Sequence, residues 1–273
     1  MLIGIHNTFI EKRFSKTRQG FLMTTDIHTH LGMGQTEVGE VTLDNLAEHV
    51  DILVSRMDTF GIDRSVLTPH EPIISTELYL QATEIYPDRL FSACSILPRP
   101  VDIAKQKLHD YADRNCKALV LDAQTYYPND PAVEALVNEA IKKELPVYLH
   151  NDIMTGETIS FLDRISTLHT DGKFIVLSMG GLFGFPQIIP LMSRSNIWLE
   201  LSTTFVKLVE SPLRVFLDAV VQDFGVRKLV FGSGYHSQYP DIMAALNMID
   251  LNIETSRLIM KENAWVILGL AFY

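Results

Sequence analysis

The sequence predicts an α/β protein, a single (β/α)8 barrel of the TIM type with terminal helices. Three observations predict it. From Thr25 onward, short extended segments alternate with helical ones across short connections, the signature of βαβ units and a parallel sheet. Eight extended segments can be counted, several of them continuous apolar runs of the kind buried on both faces. A length of 273 residues with 47% hydrophobic content suits one such barrel. The competing doubly wound sheet is disfavoured, because no glycine-rich dinucleotide fingerprint follows the first strand.

The elements follow in order. Thr25 to His30 is the first strand. A helix starts at the N-cap Asp44, carries Leu46, Val50, Leu53, Val54 and Met57 at helical spacing, and stops at Gly61. Arg64 to Thr68 is extended, and Glu77 to Tyr86 is a helix closed by Pro87. Leu90 to Leu97 is the third strand, followed by a helix from Asp102 to Arg114. Lys117 to Leu121 is extended, and Pro131 to Lys143 is a helix with proline in its first turn. Val147 to His150 and Lys173 to Leu177 are the next strands, each followed by a helix, Glu157 to Leu168 and Pro186 to Met192. Ile197 to Leu201 precedes a helix from Pro212 to Phe224. Lys228 to Phe231 precedes one from Pro240 to Ile249. Glu254 to Met260 and Glu262 to Leu268 are the terminal helices.

Composition narrows the partners. A net charge of −10 argues against nucleic acid or an anionic membrane surface, though a metal ion can reverse the local field for an anionic substrate. No apolar run is long enough to span a bilayer; Lys228-Leu-Val-Phe231 is typical. The only cysteines, Cys94 and Cys116, read as reduced small hydrophobes of a cytoplasmic protein, and two cysteines cannot make a zinc cage. A homo-oligomer is allowed but not dictated. Residues 1–22 differ from the rest, with Lys12, Arg13, Lys16 and Arg18 crowded beside the single acid Glu11. They read as an N-terminal extension or an upstream start before Met23, with an organellar presequence as the alternative, ahead of a barrel over residues 23–273.

Catalytic residues of such barrels sit at the C-terminal ends of the strands. His28 and His30 end the first strand, His70 follows the second, Asp122 ends the fourth, and His150 ends the fifth. Ser178 ends the sixth, Glu200 lies near the end of the seventh, and His236 follows the eighth. Five of the nine histidines thus converge on one mouth, whereas His6, His49, His109 and His169 fall in the N-terminal segment or on helices. In Asp26-Ile-His-Thr-His30 the two imidazoles alternate onto one strand face, close enough to chelate one borderline divalent cation such as zinc.

Asp26-Ile-His-Thr-His30, Pro146-Val-Tyr-Leu-His150, Met179-Gly-Gly181, Leu229-Val-Phe-Gly-Ser233 and Glu262-Asn-Ala-Trp-Val-Ile-Leu-Gly-Leu270 occur in that order across nearly the whole chain. On these pieces the sequence resembles the amidohydrolase superfamily, in its amidohydrolase-related branch of hydrolases and decarboxylases with one metal per barrel. The resemblance implies one divalent ion, zinc or alternatively manganese, held by His28, His30 and His150. It further implies that activated water hydrolyses a small amide, ester or lactone, or that a small acid is decarboxylated.

Two positions depart from the family pattern. Ser178-Met179 stands where histidine usually precedes the Gly-Gly pair, and Gly234 stands where an aspartate usually serves as ligand and general base. A base is worth about 10²–10⁴-fold in rate. His236, Glu200 and Asp122 are the candidates to supply it, and His70 and Ser178 are candidates for binding substrate. The departures leave open a degenerate barrel that binds a small ligand without turnover. A third reading is a metallophosphoesterase similar to the polymerase and histidinol phosphatase family, using His70 and His236.

Overall fold

The computed structural model describes residues 23–270 except 33, 35–39, 71–74, 124, 152–153 and 250. The basic segment 1–22 and most of the glycine-containing loop after His30 lie outside the described residues.

Nine parallel strands form one curled sheet: β1 (Thr24–His30), β2 (Ile62–Leu67), β3 (Leu90–Ser95), β4 (Cys116–Asp122), β5 (Val147–His150), β6 (Phe174–Val176), β7 (Ile197–Glu200), β8 (Leu229–Val230) and β9 (Gly234–Tyr235). The expected eighth strand, Lys228 to Phe231, is shortened to β8, and β9 follows as a continuation that was not expected. β8 pairs with β7, and β9 pairs with β1. Between them the Ile27 amide donates to the Phe231 carbonyl and the Ser233 amide to the His28 carbonyl, which joins the sheet's two ends.

The helices follow the predicted alternation: α1 (Leu46–Phe60), α2 (Thr76–Ile85), α3 (Val101–Asp113), α4 (Pro131–Lys142), α5 (Gly156–Leu168), α6 (Gly181–Ile188), α7 (Thr203–Val209), α8 (Arg214–Asp223), α9 (Tyr239–Met248), α10 (Ile253–Arg257) and α11 (Asn263–Leu268). Local chemistry sets their starts. Ser75 caps α2, Asp130 caps α4 ahead of Pro131, and Thr155 caps α5, each through its side-chain oxygen. Three elements differ from expectation. Pro186 sits inside α6 rather than opening a helix, because the turn begins at Gly181. The helix α7 was not anticipated. A π-helical turn, Leu258–Glu262, joins α10 to α11.

Two apolar layers hold this together. The larger lies between sheet and helices, with Leu53, Met57, Leu119, Phe161, Phe205 and Tyr239 fully buried in it. The smaller fills the barrel with Ile27, Val66, Ala93, Val120, Tyr148, Ile175 and Val230, and is capped by Trp265, Ile267 and Leu268 of α11. The floor of the barrel is therefore closed, and polar residues concentrate at the other end.

One polar contact network fixes β1 against the stretch from β8 to β9. Asp26 Oδ1 accepts from the amides of His28 at 3.0 Å and Ser233 at 3.1 Å, and Oδ2 accepts from Ser233 Oγ at 2.6 Å and Tyr239 OH at 3.1 Å. Asp26→Ala leaves these buried donors without an acceptor. We expect it to lower unfolding free energy by about 3 kcal/mol or more in urea denaturation, and a loss near zero would show that the seam is held elsewhere.

Candidate metal centre

The two histidines of β1 reach the mouth through an irregularity. Against β2 the pairing runs Asp26 to Ser65 and Thr29 to Leu67, so three steps along β1 match two along its partner. Such a bulge re-aims side chains. Ile27 packs into the barrel's inner layer, while His28 and His30 both turn to the mouth with ring centroids 5.1 Å apart. His150, at the end of β5, comes within 5.6 Å of His28 and 6.1 Å of His30 by the same measure. One potential ligand atom from each of His28, His30 and His150 lies within 4.8 Å of the others.

Each imidazole is anchored through one nitrogen. His28 Nδ1 lies 3.0 Å from Glu200 Oε2. The same oxygen accepts the Ser178 amide at 2.6 Å, and an amide only donates, so the oxygen acts as an acceptor there. With Glu200 ionised, Nδ1 of His28 carries the proton of this contact, and Nε2 is left with a lone pair. His150 Nδ1 lies 3.0 Å from Asp122 Oδ2, which serves it in the same way. His30 bonds to the Thr68 backbone. What remains is telling: His28 Nε2 and His30 Nδ1 are buried and have no hydrogen-bond partner among the described residues. Such orphaned nitrogens are rare in proteins unless something else occupies them. Imidazoles oriented by carboxylates and carbonyls are the usual surroundings of a metal, so the residues present fit a divalent ion.

The electrostatics agree. Burial, then the neighbouring imidazoles, push His28 and His30 well below the ordinary histidine range, so both are neutral and ready to ligate at pH 7. Burial raises Glu200 to about 8, opposed by the Ser178 amide, and raises Asp26 to about 7, opposed by its hydrogen bonds.

The remaining sequence candidates fall as follows. His70 Nδ1 lies 3.1 Å from Asp122 Oδ2, so one carboxylate serves two imidazoles. His70, Asp122 and His150 form a second group of suitable ligand atoms within 4.8 Å. Ser178 stands at a positive φ of 49° and pairs its hydroxyl with Ser202 Oγ at 3.0 Å. His236 is buried just after β9, outside both groupings. His109 pairs with Glu139 at 2.8 Å on the surface, away from the mouth.

Sequence reasoning did not foresee Gly232. A Cβ there would lie 2.3 Å from Glu200 Oε1 and 2.6 Å from its Cγ, so the absent side chain makes room for the buried carboxylate. Asn151, Thr204 and Lys207 were also missed. With His150, Ser178, Gly181 and Leu182 they line a cleft of about 240 Å³ beside the histidines. A larger cleft of about 530 Å³ opens at the opposite end of the barrel, around Cys116, Lys117, Lys173 and Gly269, with no histidine in it.

A parallel barrel with a histidine-lined mouth defines a broad class of metal-binding α/β proteins. The sequence pattern of the amidohydrolase family matches residues 25–270, and the chain belongs to that family. This decides between the two family resemblances read in the sequence. Among proteins with curated descriptions, none matches the sequence.

Solved structures share the fold. A probable 2-pyrone-4,6-dicarboxylic acid hydrolase from Acinetobacter baumannii, with citric acid bound, is 17% identical over 90% of this chain and 99% of its own, at a TM-score of 0.68. The 2,6-dihydroxybenzoate decarboxylase from Rhizobium is 15% identical over 92% of this chain and 99% of its own, at 0.70. A 5-carboxyvanillate decarboxylase from Novosphingobium aromaticivorans, complexed with manganese and a nitrobenzoic acid, is 14% identical over 93% and 97%, at 0.66.

Two outcomes follow from this geometry. Gly232→Ala should destabilise the protein by about 1–3 kcal/mol through overpacking, and Glu200→Ala in the same chain should recover part of that in a double-mutant cycle. Additive effects would show that Glu200 is not what requires the glycine. The second concerns pH. A histidine whose folded value lies below its unfolded value, near 6.5, withdraws stability as pH falls below 6.5. Asp26 and Glu200 shift in the opposite sense, so the effect is read against a variant. In metal-free protein, the wild type should lose stability relative to His30→Gln by about 1 kcal/mol per pH unit below pH 6.5. A constant difference between pH 7 and pH 5 would show that His30 is not held neutral.

Proposed function

We propose that the chain is a metal-dependent hydrolase of the amidohydrolase-related type, acting on a small amide, ester or lactone, or removing carbon dioxide from a small acid. The observation that carries this is the pair of buried nitrogens, His28 Nε2 and His30 Nδ1, unpartnered among the described residues, beside a third imidazole whose Nδ1 is tied to Asp122. A divalent ion there, zinc or manganese, supplies the positive charge that polarises a carbonyl and activates water.

The chain's own residues do the rest. Glu200 and Asp122 are positioning residues, because each already spends an oxygen on an imidazole. His236, buried after β9, is the remaining candidate to move a proton, and Ser178 lines the cleft. Lys207, an exposed cation lining the cleft beside His150, suits a substrate carrying a carboxylate. The structural neighbours named above include enzymes of dicarboxylic and benzoic acids, which supports the same class.

A second reading, a barrel that binds a small ligand without turnover, is favoured by Gly234. Its backbone stands at a positive φ of 70°, and no carboxylate rises from that position. Metal analysis separates the two. At 100 times Kd, zinc or manganese should stabilise the wild type by about 2.7 kcal/mol. A chelator should reverse the gain, and His28→Ala and His150→Ala should abolish it. The loaded enzyme should then hydrolyse or decarboxylate members of a panel of pyrone and benzoic acids. Purified protein without stoichiometric metal, and with an unchanged melting temperature on adding either ion, would favour the degenerate barrel.

A further inference from the structure

The mouth extends past the three imidazoles into the cleft of about 240 Å³, and His150 belongs to both. Asn151 follows β5, Ser178 and Gly181 follow β6, and Thr204 and Lys207 follow β7. Thr204 and Lys207 are three positions apart and share one face of α7. The other two imidazoles stand on β1, so the cleft leads away from them, from His150 toward strands six and seven.

Its polar groups are left open to a ligand. Thr204 is only 6% exposed, yet its hydroxyl makes no hydrogen bond among the described residues. Asn151, 9% exposed, accepts the Tyr126 hydroxyl on Oδ1 at 2.9 Å, which leaves its Nδ2 as a donor for the cleft. Buried polar groups without a partner are rare in proteins. Lys207 is exposed and has no ion pair among the described residues, and none of those lining the cleft carries a carboxylate. Gly181, which opens α6, adds the partial positive charge of a helix N-terminus. The backbone that joins these arms is strained. Ser178, Met179 and Ser202 stand at φ of 49°, 53° and 73°, and the two serine hydroxyls meet at 3.0 Å between the starts of α6 and α7. Such strain persists only where the surroundings hold it, and it gathers at ligand sites.

We infer that Asn151, Thr204 and Lys207 bind a carboxylate of the substrate that takes no part in the reaction, while the reacting group lies beside His150. This rests on the metal-dependent reading above for the reacting end, and it adds a second, spectator acid. Three donors, one of them charged, suit a carboxylate better than a neutral group. The substrate is then a small diacid if carbon dioxide is removed. If water attacks, it is an amide, ester or lactone that also bears a free carboxylate.

Binding to the metal-free protein tests the cleft apart from any ion. Glutarate and its uncharged diamide, glutaramide, are titrated calorimetrically into wild type, Lys207→Met, Lys207→Arg, Thr204→Val, Thr204→Ser and the control Lys107→Met on α3. Melting curves check that each variant folds; Lys207 is exposed, so its variants carry the comparison should Thr204→Val not fold. Wild type should bind glutarate about tenfold tighter than glutaramide. Lys207→Met should weaken glutarate about tenfold and Thr204→Val about threefold. The arginine and serine variants should keep most of the affinity, and Lys107→Met all of it. A wild type that does not prefer glutarate, or Lys207→Met and Thr204→Val variants that bind it as the wild type does, would overturn the inference and leave the metal reading standing. Tighter binding of inorganic phosphate than of glutarate, lost in the same variants, would also overturn it. A wild type that binds glutarate as expected but takes up neither zinc nor manganese would keep the carboxylate cleft and sink the reaction assigned beside it.

Discussion

A carboxylate buried without partners costs several kcal/mol, and this barrel buries three of them around one mouth. The way each is satisfied organises everything near it. Asp26 takes four donors from β1, the stretch between β8 and β9, and α9, which closes the sheet. Glu200 takes the Ser178 amide and His28 Nδ1. Asp122 takes Nδ1 of His70 and His150. The last two thereby settle which nitrogen each imidazole turns outward. Orientation of the histidines is a consequence of burying acids, and the same contacts serve stability and ligand geometry together.

Glycine in the stretch from β8 to β9 is the other half of the arrangement. Gly232 admits the Glu200 side chain from β7, which reaches under His28. Gly234, at a positive φ, carries the chain into its pairing with Thr29 while offering no side chain of its own. Carboxylate support at this side of the mouth therefore comes from strand seven instead of strand eight. It sits beside an imidazole, where it can hold a ring in place.

Much of this was legible in the sequence, and the parts that were not have physical reasons. Buried parallel strands are apolar on both faces, so runs such as Val147 to Leu149 and Phe174 to Val176 declare themselves. Polar residues at their ends then mark the mouth. The bulge in β1 left no such trace, because alternation alone already places His28 and His30 together, and the register against β2 is a tertiary fact. Helix α7 was hidden by its brevity and by Ser202 before it, whose positive φ is not written in its residue type. Pro186 suggested a helix start because proline favours the first turn, yet Gly181 begins the helix earlier. The pairing of Glu200 with His28 spans 172 positions, and it is the space at Gly232 that turns a strand-end acid into a support for that ring.

Charge completes the picture. The chain as a whole carries −10, which on its own would repel an anion. At the mouth, however, burial keeps His28 and His30 uncharged and lifts Glu200 to about 8, so the acid beside His28 also loses much of its field at neutral pH. A divalent ion on those nitrogens would be the dominant local charge, and Lys207 is the cation that lines the adjoining cleft. An acidic protein can therefore present a positive pocket, with the sign set by a few buried groups and not by the total. On the proposed reading, the same burial that leaves the imidazoles able to ligate would also make the site receptive to a carboxylate. Metal affinity and substrate charge would then be two readings of one desolvated cluster.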